Sequence, residues 1–276
     1  MKVISNYNQK GGVGKTTATI QEAGWTAFAG YRVLVIDADI QANLTNALLN
    51  NSPYIEDPEY AGFAEVAAGQ TELDDIILHA SVDLKTGLAA KEVGIDIAPI
   101  NRIREYKFFT TGAYAVRDIL DKVKDRYDFV FIDYPPERPY IGTIEEKEVY
   151  NLVALCLIAT DAIIIPCTPD EDSFSGLEIL DEHIGEIRRQ YNPHLQNLGC
   201  FLNMVGRYNA DRFIQELCDG PLKDSVLYCG HTIRTSGIIK SSRLKYRPLA
   251  WYFSRNQAAE SYRKLTEYIT GEQIKQ

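Results

Sequence analysis

The sequence predicts an α/β fold in which a mainly parallel, twisted β-sheet carries helices on both faces. Two observations predict this class. Short runs rich in β-branched residues alternate with longer helix-like segments along nearly the whole chain. A glycine-rich stretch, "GGVGKTT", also stands between the first predicted strand and the first predicted helix. Strands separated by helices imply right-handed crossovers, and therefore parallel pairing.

Each predicted strand is a short apolar run of the kind that parallel sheets bury on both faces. We expect strands at residues 2–8, 31–37, 94–100, 128–133, 161–167 and 198–205. The segments between them have a helix-like pattern. We expect helices at residues 14–29, 112–126, 148–159, 174–191 and 209–218. Residues 50–62 and 137–148 are acidic and contain prolines, so we interpret them as surface excursions.

The composition is that of a globular protein, and we expect one domain over residues 1–276. The formal net charge of −9 argues against a uniformly basic surface but is compatible with a local basic face. Five cysteines without CxxC spacing indicate reduced thiols, and the four scattered histidines show no metal-ligand spacing. No apolar run approaches the roughly 18 residues of a membrane span. We therefore expect a cytoplasmic protein that does not bind membranes.

The glycine-rich stretch has the features of a phosphate-binding loop, because it follows a predicted strand and opens a predicted helix. Its glycines allow a tight turn that aims successive N–H groups at phosphate oxygens, and the helix start adds a positive dipole end. Lys15 is expected to reach the β- and γ-phosphates, and the Thr16 hydroxyl to bind Mg²⁺. The residues expected to contact the ligand through this loop are Gly11, Gly12, Val13, Gly14, Lys15, Thr16 and Thr17.

Acidic side chains close two of the predicted strands. Asp37 and Asp39 follow the second strand in "VLVIDADIQANLT", and Asp133 ends another in "FVFIDYPP". The carboxyl ends of parallel strands line the crevice in which ligands bind. An aspartate there can hold a Mg²⁺-bound water or orient an attacking water, so Asp39 and Asp133 join Thr16 as candidate metal-site residues.

These motifs together resemble a known family. The series "KGGVGKTT", "DADIQANLT" and "FIDYPP" is similar to that of the deviant Walker A ATPases, and most similar to their ParA group. The likeness extends more weakly over nearly the whole chain. It departs from the family pattern at Ile40 (proline in relatives), Ala42 (glycine), Gln21 (asparagine) and Glu22 (an apolar residue).

The resemblance implies a P-loop NTPase fold, an ATP hydrolase that uses Mg²⁺, and roles for the matching residues. Lys10 would be the signature lysine, which crosses a homodimer interface to the partner's ATP. Lys15 would keep its phosphate role, Asp39 would position the hydrolytic water, and Asp133 would act through the Mg²⁺ shell. Asn203, at the end of "CFLNMV", matches a region where relatives contact adenine. An asparagine that closes a strand into a turn is an equally good interpretation of that position.

The resemblance also implies ATP-dependent DNA partitioning of a plasmid or chromosome, with hydrolysis stimulated by a centromere-binding, ParB-type protein. Residues 231–256 carry six basic side chains and no acidic one, which suits salt-sensitive, nonspecific DNA binding at the nucleoid. The candidate DNA-binding residues are Arg207, Arg234, Lys240, Arg243, Lys245 and Arg247. No helix-turn-helix module precedes the loop, so we expect no operator-specific binding.

Three other functions of the same fold are alternatives. A membrane-associated positioning ATPase like MinD needs a C-terminal amphipathic helix, but the apolar stripe of residues 257–270 is narrow and is expected to dock on the domain. An iron–sulfur carrier needs closely spaced cysteines, which the chain lacks. A ligase of the dethiobiotin or cobyrinate type needs a small-molecule pocket, and the sequence does not identify one.

Overall fold

The computed structural model describes residues 1–49, 56–86, 89–103, 106–170, 172–206, 210–219, 228–244 and 247–275. Its strands are β1 (Lys2–Asn6), β2 (Val33–Asp37), β3 (Leu78–Thr86), β4 (Ala89–Ala98), β5 (Phe129–Asp133), β6 (Ile141–Ile144), β7 (Lys147–Tyr150), β8 (Ala162–Cys167), β9 (Gln196–Val205) and β10 (Tyr228–Arg234). Eight of them form one sheet in the order β10-β9-β8-β1-β5-β2-β4-β3, and β6 and β7 form a separate hairpin. Every pair in the main sheet is parallel except β3 with β4. The expected α/β architecture is confirmed.

Helices cover both faces of this sheet. They are α1 (Lys15–Phe28), α2 (Asn43–Leu49), α3 (Phe63–Ala67), α4 (Ala115–Asp121), α5 (Leu152–Ala159), α6 (Asp172–Gln190), α7 (Ala210–Asp219), α8 (Gly237–Leu244) and α9 (Gln257–Thr270). One apolar cluster joins the sheet to α3, α4, α5 and α6, and a second joins it to α1, α2 and α9. Neighbouring residues of the central strands, such as Val3 and Ile4, belong to opposite clusters because side chains alternate across a strand.

The last helix packs against the domain, as the narrow stripe predicts. Tyr262, Leu265 and Ile269 are fully buried in the second cluster. The indole N–H of Trp25 in α1 donates to the carbonyl oxygen of Ala259 at 2.9 Å. Within the described part of the chain, no helix is long and apolar enough to cross a membrane.

Residues 137–148, predicted to be a surface excursion, are all exposed or partly exposed, and the structure corrects the helix predicted next to them. The segment interpreted as a surface excursion contains the β6–β7 hairpin, whose turn places Glu145 and Glu146 at positive φ. The helix expected over 148–159 begins only at Leu152, because residues 148–150 belong to β7 and Asn151 caps the helix by accepting from the Ala154 N–H. Of the other surface excursion, 50–62, residues 50–55 lie outside the described part of the chain, and residues 56–60 are exposed or partly exposed.

Candidate nucleotide-binding site

The candidate site lies where β1, β2 and β5 end beside one another. β1 and β2 both pair with β5, and Asp37 stands directly opposite Asp133 in the register. The N–H of Ala38 donates to the carbonyl oxygen of Asp133 at 3.0 Å, which extends the pairing past the strand ends. The acidic residues predicted from two separate motifs are therefore neighbours. Their common edge is the one from which the glycine-rich loop leaves β1.

The loop turns into α1 through glycines in left-handed conformations. Gly12 has φ 77°, and Gly14 has φ 93° and forms the N-cap of α1, which begins at Lys15. A side chain at Gly14 would also place its Cβ 2.3 Å from Nδ2 of Asn203. Glycine is thus required at this position by both backbone conformation and space. The N–H groups of the first helical turn point out of the helix end, where an anion is favoured.

Lys15 is buried behind the loop. Its ammonium group donates to the carbonyl oxygen of Lys10 at 3.0 Å, so the side chain bridges the two ends of the turn. Burial lowers the pKa of this amine, while the charges of Asp133 and Asp39 act in the opposite direction. A phosphate group at the loop would give the amine a second anionic partner and favour its charged form.

Asp133 is the group best suited to hold a cation. It is fully buried, and neither of its carboxylate oxygens has a hydrogen-bond partner among the described residues. Burial, followed by the charge of Asp37, raises its pKa well above the ordinary range, and the Thr16 side chain and Lys15 oppose that shift. Orphaned carboxylate oxygens beside a hydroxyl match the all-oxygen ligand preference of Mg²⁺. The residues present therefore fit the metal that the loop implies.

Asp37 organises the segment that follows β2. Its carboxylate accepts from the Thr45 N–H at 2.9 Å, from the Thr45 hydroxyl at 2.7 Å and from the Asp39 N–H at 3.2 Å. Burial raises the pKa of this carboxyl, and these hydrogen bonds oppose the shift. Asp37 thereby ties the start of α2 to the end of β2. This carboxylate therefore has a structural role in addition to its place in the acidic cluster.

Asp39 heads a tight turn within that segment. Its carbonyl oxygen accepts from the Ala42 N–H at 2.7 Å, and its Oδ1 accepts from the Gln41 N–H at 2.9 Å. Ala42 adopts φ 50°, a left-handed conformation that glycine takes more easily. The structure therefore needs positive φ at the very position where the family pattern has glycine. The backbone around Asp39 carries local strain in this chain.

Lys10 lies at the rim of the loop, and its ammonium group forms an ion pair with Asp170, which follows β8. The other carboxylate oxygen of Asp170 accepts from the Thr168 hydroxyl at 2.5 Å. One third of the Lys10 side chain is exposed. Sequence reasoning missed Asp170, because 160 residues separate it from Lys10 and no motif links them.

The structure places Asn203 against the loop. Its side-chain amide donates to the carbonyl oxygen of Val13 at 2.9 Å, and its Oδ1 accepts from the Met204 N–H at the same distance. The contact with Val13 ties the end of β9 to the glycine-rich loop, and the Asn203 side chain is buried. A role for Asn203 toward adenine stays a prediction.

Three of the predicted DNA-binding residues lie in or shortly after β10 and α8. Arg234 ends β10 and is exposed, and Lys240 is exposed on α8. The guanidinium of Arg247 lies 5.2 Å from the centre of the Tyr252 ring, a cation–π contact. Arg207, Lys245 and the side chain of Arg243 lie outside the described part of the structure.

Comparison with known proteins agrees with this geometry. A family model described as an AAA domain matches residues 1–197, which is well over half of the chain. The chromosome partitioning protein ParA of Caulobacter vibrioides is 26% identical over 100% of this chain and 97% of its own length. The chain belongs to the ParA/MinD family of P-loop ATPases.

Two further similarities cover nearly the full length of both proteins compared. The sporulation initiation inhibitor protein Soj of Bacillus subtilis is 27% identical over 97% of this chain and 98% of its own. The structure of Cyanothece McdA in complex with ATP superposes with a TM-score of 0.75 and 18% identity, covering 100% of this chain and 99% of that one. At that identity the structural match shows the fold alone.

Proposed function

We propose that this ParA/MinD family member is a DNA-partitioning ATPase, which binds ATP and Mg²⁺, forms a homodimer, binds nonspecific DNA and releases it on hydrolysis. The observation that supports this most directly is the convergence of Lys15, Asp39 and Asp133 beside one glycine-rich loop. The partitioning role is supported by the full-length likeness to the ParA and Soj proteins.

Within the proposed cycle, the loop backbone and Lys15 hold the triphosphate. Thr16 and Asp133 would hold Mg²⁺, which supplies charge neutralisation on the phosphate oxygens when bound. Asp39 is nearly buried on a tight turn next to Asp133, where it can accept a hydrogen bond from an attacking water and orient it. Positioning and electrostatics, rather than covalent chemistry by the protein, carry such a reaction.

Lys10 has a separate task in this proposal. Its amine extends to the rim of the loop, whereas Lys15 already occupies the inner position. On dimerisation Lys10 would exchange Asp170 for the phosphates of the partner's ATP. ATP occupancy would thus favour the dimer, and hydrolysis would disfavour it.

We infer that Arg234, Lys240 and Arg247 belong to one basic surface that binds nonspecific DNA, to which Arg207, Arg243 and Lys245 are proposed to contribute. A ParB-type protein is the proposed activator, and the nucleoid the proposed location. A membrane-positioning role like that of MinD is less well supported, since the apolar face of α9 is buried. Substantial ATP-dependent binding to liposomes would favour that alternative.

The test is to measure ATP turnover, dimerisation and retention on nonspecific DNA for the wild type and for Lys10→Ala, each with and without ATP. We expect the wild type to dimerise and bind DNA only with ATP. We expect Lys10→Ala to bind nucleotide but not to dimerise. DNA retention that is equal with and without ATP in the wild type would refute the proposed coupling.

A further inference from the structure

A second cavity lies beside the nucleotide site and is not used by it. Its volume is about 450 Å³, which falls in the range of small-molecule sites, roughly 300–1,000 Å³. Ala38 and Ile40 line it from the segment after β2, and Ile100 and Phe109 contribute apolar surface from the segment after β4. Ala38 and Ile40 are the two chain neighbours of Asp39, so an occupant would contact the segment that carries the proposed water-positioning carboxylate.

The side of the cavity lined by Tyr140 and Asn151 is held in place by hydrogen bonds. Asn151, which follows β7, ties the two ends of the β6–β7 hairpin together, because its Oδ1 accepts from the Tyr140 N–H at 2.9 Å and its Nδ2 donates to the carbonyl oxygen of Arg138 at 2.8 Å, both before β6. Phe109 and Tyr150 exchange two backbone hydrogen bonds, of 2.7 and 3.0 Å. The hairpin and the segment carrying Phe109 are therefore joined, and the cavity between them is preformed.

The mouth of the cavity is aromatic. The rings of Phe108 and Tyr140 lie 4.8 Å apart at an angle of 40°, and Tyr140 is 44% exposed. A side chain on Gly142 would place its Cβ 2.5 Å from the Tyr140 hydroxyl, so glycine leaves the space that this ring occupies. Flat ring faces above an apolar floor favour an occupant with its own planar ring, by offset or edge-to-face stacking.

We propose that this cavity, hereafter the hairpin cavity, binds a small molecule with a planar aromatic ring system of about indole size. The ring lies on Phe108 and Tyr140 and rests against Ile40. Binding itself does not depend on the proposed ATPase function. The consequence for turnover does rest on that function, since the ligand would restrict the backbone on both sides of Asp39.

The experiment uses fluoroindole as the probe and fluorine NMR line broadening as the readout. The full-length protein is compared with Phe108→Ala, Tyr140→Ala and the control Tyr268→Ala, which removes an exposed aromatic ring on α9 outside the hairpin cavity. We expect the wild type and Tyr268→Ala to bind the probe alike. We expect each rim variant to weaken binding by about fivefold, the effect of losing one aromatic pair. Thermal unfolding verifies that each variant is folded.

Several outcomes would overturn the proposal. They are an absence of probe binding to the wild type at millimolar concentration, unchanged binding in both rim variants, and an equal loss in the Tyr268→Ala control. A peptide containing fluorotryptophan forms a second arm, and binding of that peptide without binding of free fluoroindole would show a side-chain pocket instead. ATP turnover with and without probe is measured in parallel. Probe binding to a protein without ATP turnover would refute the proposed function and leave the hairpin cavity intact.

Discussion

At the scale of single residues, the chain buries polar groups that its proposed reaction does not need. Glu22 is fully buried in α1, where its Oε2 accepts from the Asn6 side-chain amide at 2.5 Å. Its Oε1, the Asn6 Oδ1 and the Tyr262 hydroxyl have no hydrogen-bond partners among the described residues. Burial raises the pKa of Glu22 to about 8, against an ordinary value of 4.5. An apolar residue occupies this position in the family pattern.

This environment predicts that the wild type has a pH-dependent stability, which Glu22→Gln should remove. Glu22 keeps its proton in the folded state at pH values where the unfolded chain has lost it, so stability falls as pH rises from 4.5 to about 8. Glutamine removes that dependence. We expect the variant to be more stable than the wild type by on the order of 3 kcal/mol at neutral pH, at about 1.4 kcal/mol per pH unit, and nearly equal below the ordinary pKa. Urea unfolding of both proteins across this range measures the difference, and a pH-independent difference would contradict the assignment.

The ion pair of Lys10 makes a second prediction at this scale. Both side chains are about one third or more exposed, so removing the pair by Asp170→Asn should lower stability by less than about 1 kcal/mol. The same change removes the carboxylate that competes with the partner's ATP phosphates for the Lys10 ammonium group. We therefore expect ATP-dependent dimerisation to tighten by up to about fivefold. Sedimentation at several protein concentrations measures this. Weaker dimerisation in Asp170→Asn would instead show that Asp170 supports the dimer.

At the scale of elements, α1 connects the glycine-rich loop to the C-terminal part of the chain. Gln21 accepts from the Leu249 N–H at 2.7 Å, and the Trp251 indole donates to the carbonyl oxygen of Gly24 at 3.2 Å. Pro248 packs directly on Gly24, where an added Cβ would lie 2.2 Å from the proline Cβ. The helix that begins at Lys15 is therefore fixed to the segment next to the basic surface.

Gly24→Ala tests this packing. Alanine is intrinsically the better helix residue by about 1 kcal/mol, but the clash with the Pro248 ring should outweigh that gain and destabilise the protein by roughly 1–3 kcal/mol. The matched control is Gly176→Ala in α6, where an added Cβ meets nothing within 4 Å and stability should rise. Chemical unfolding of both variants measures whether each one loses or gains stability relative to the wild type. A gain of stability in Gly24→Ala would show that the space between Gly24 and Pro248 can accommodate a methyl group.

The sequence predicts the central strands and the loop well because each is specified locally. Apolar runs such as that of β2 and the glycines before Lys15 need no distant information. The hairpin β6–β7 was not predicted, because its strands are only four residues long and partly exposed, without the continuous apolar run of the buried strands. Asp170 and the hairpin cavity depend on segments that are far apart in the chain, which a local pattern does not report.

At the scale of the whole molecule, a net charge of −9 coexists with the basic residues of 231–256, which form the proposed basic surface. We expect Lys240→Glu and Arg234→Glu each to weaken DNA retention and to reduce its salt dependence, by a log–log slope of about one per lost phosphate contact. The control is Lys122→Glu, which reverses an exposed lysine that pairs with Glu72 outside this surface. DNA titrations over a salt series measure the slopes. Equal effects in the control would place the DNA contacts elsewhere.

The strand order has a consequence for biosynthesis. β1 is made first, yet its two neighbours in the sheet are β5 and β8, which end at residues 133 and 167. The hydrogen bond from Trp25 of α1 also needs the carbonyl oxygen of Ala259, which is made 234 residues later. Because a ribosome releases the chain from its N-terminus, the glycine-rich loop leaves the exit tunnel long before the strands that support it. The nascent chain therefore cannot complete the candidate site until β5, which carries Asp133, and β8 have been made.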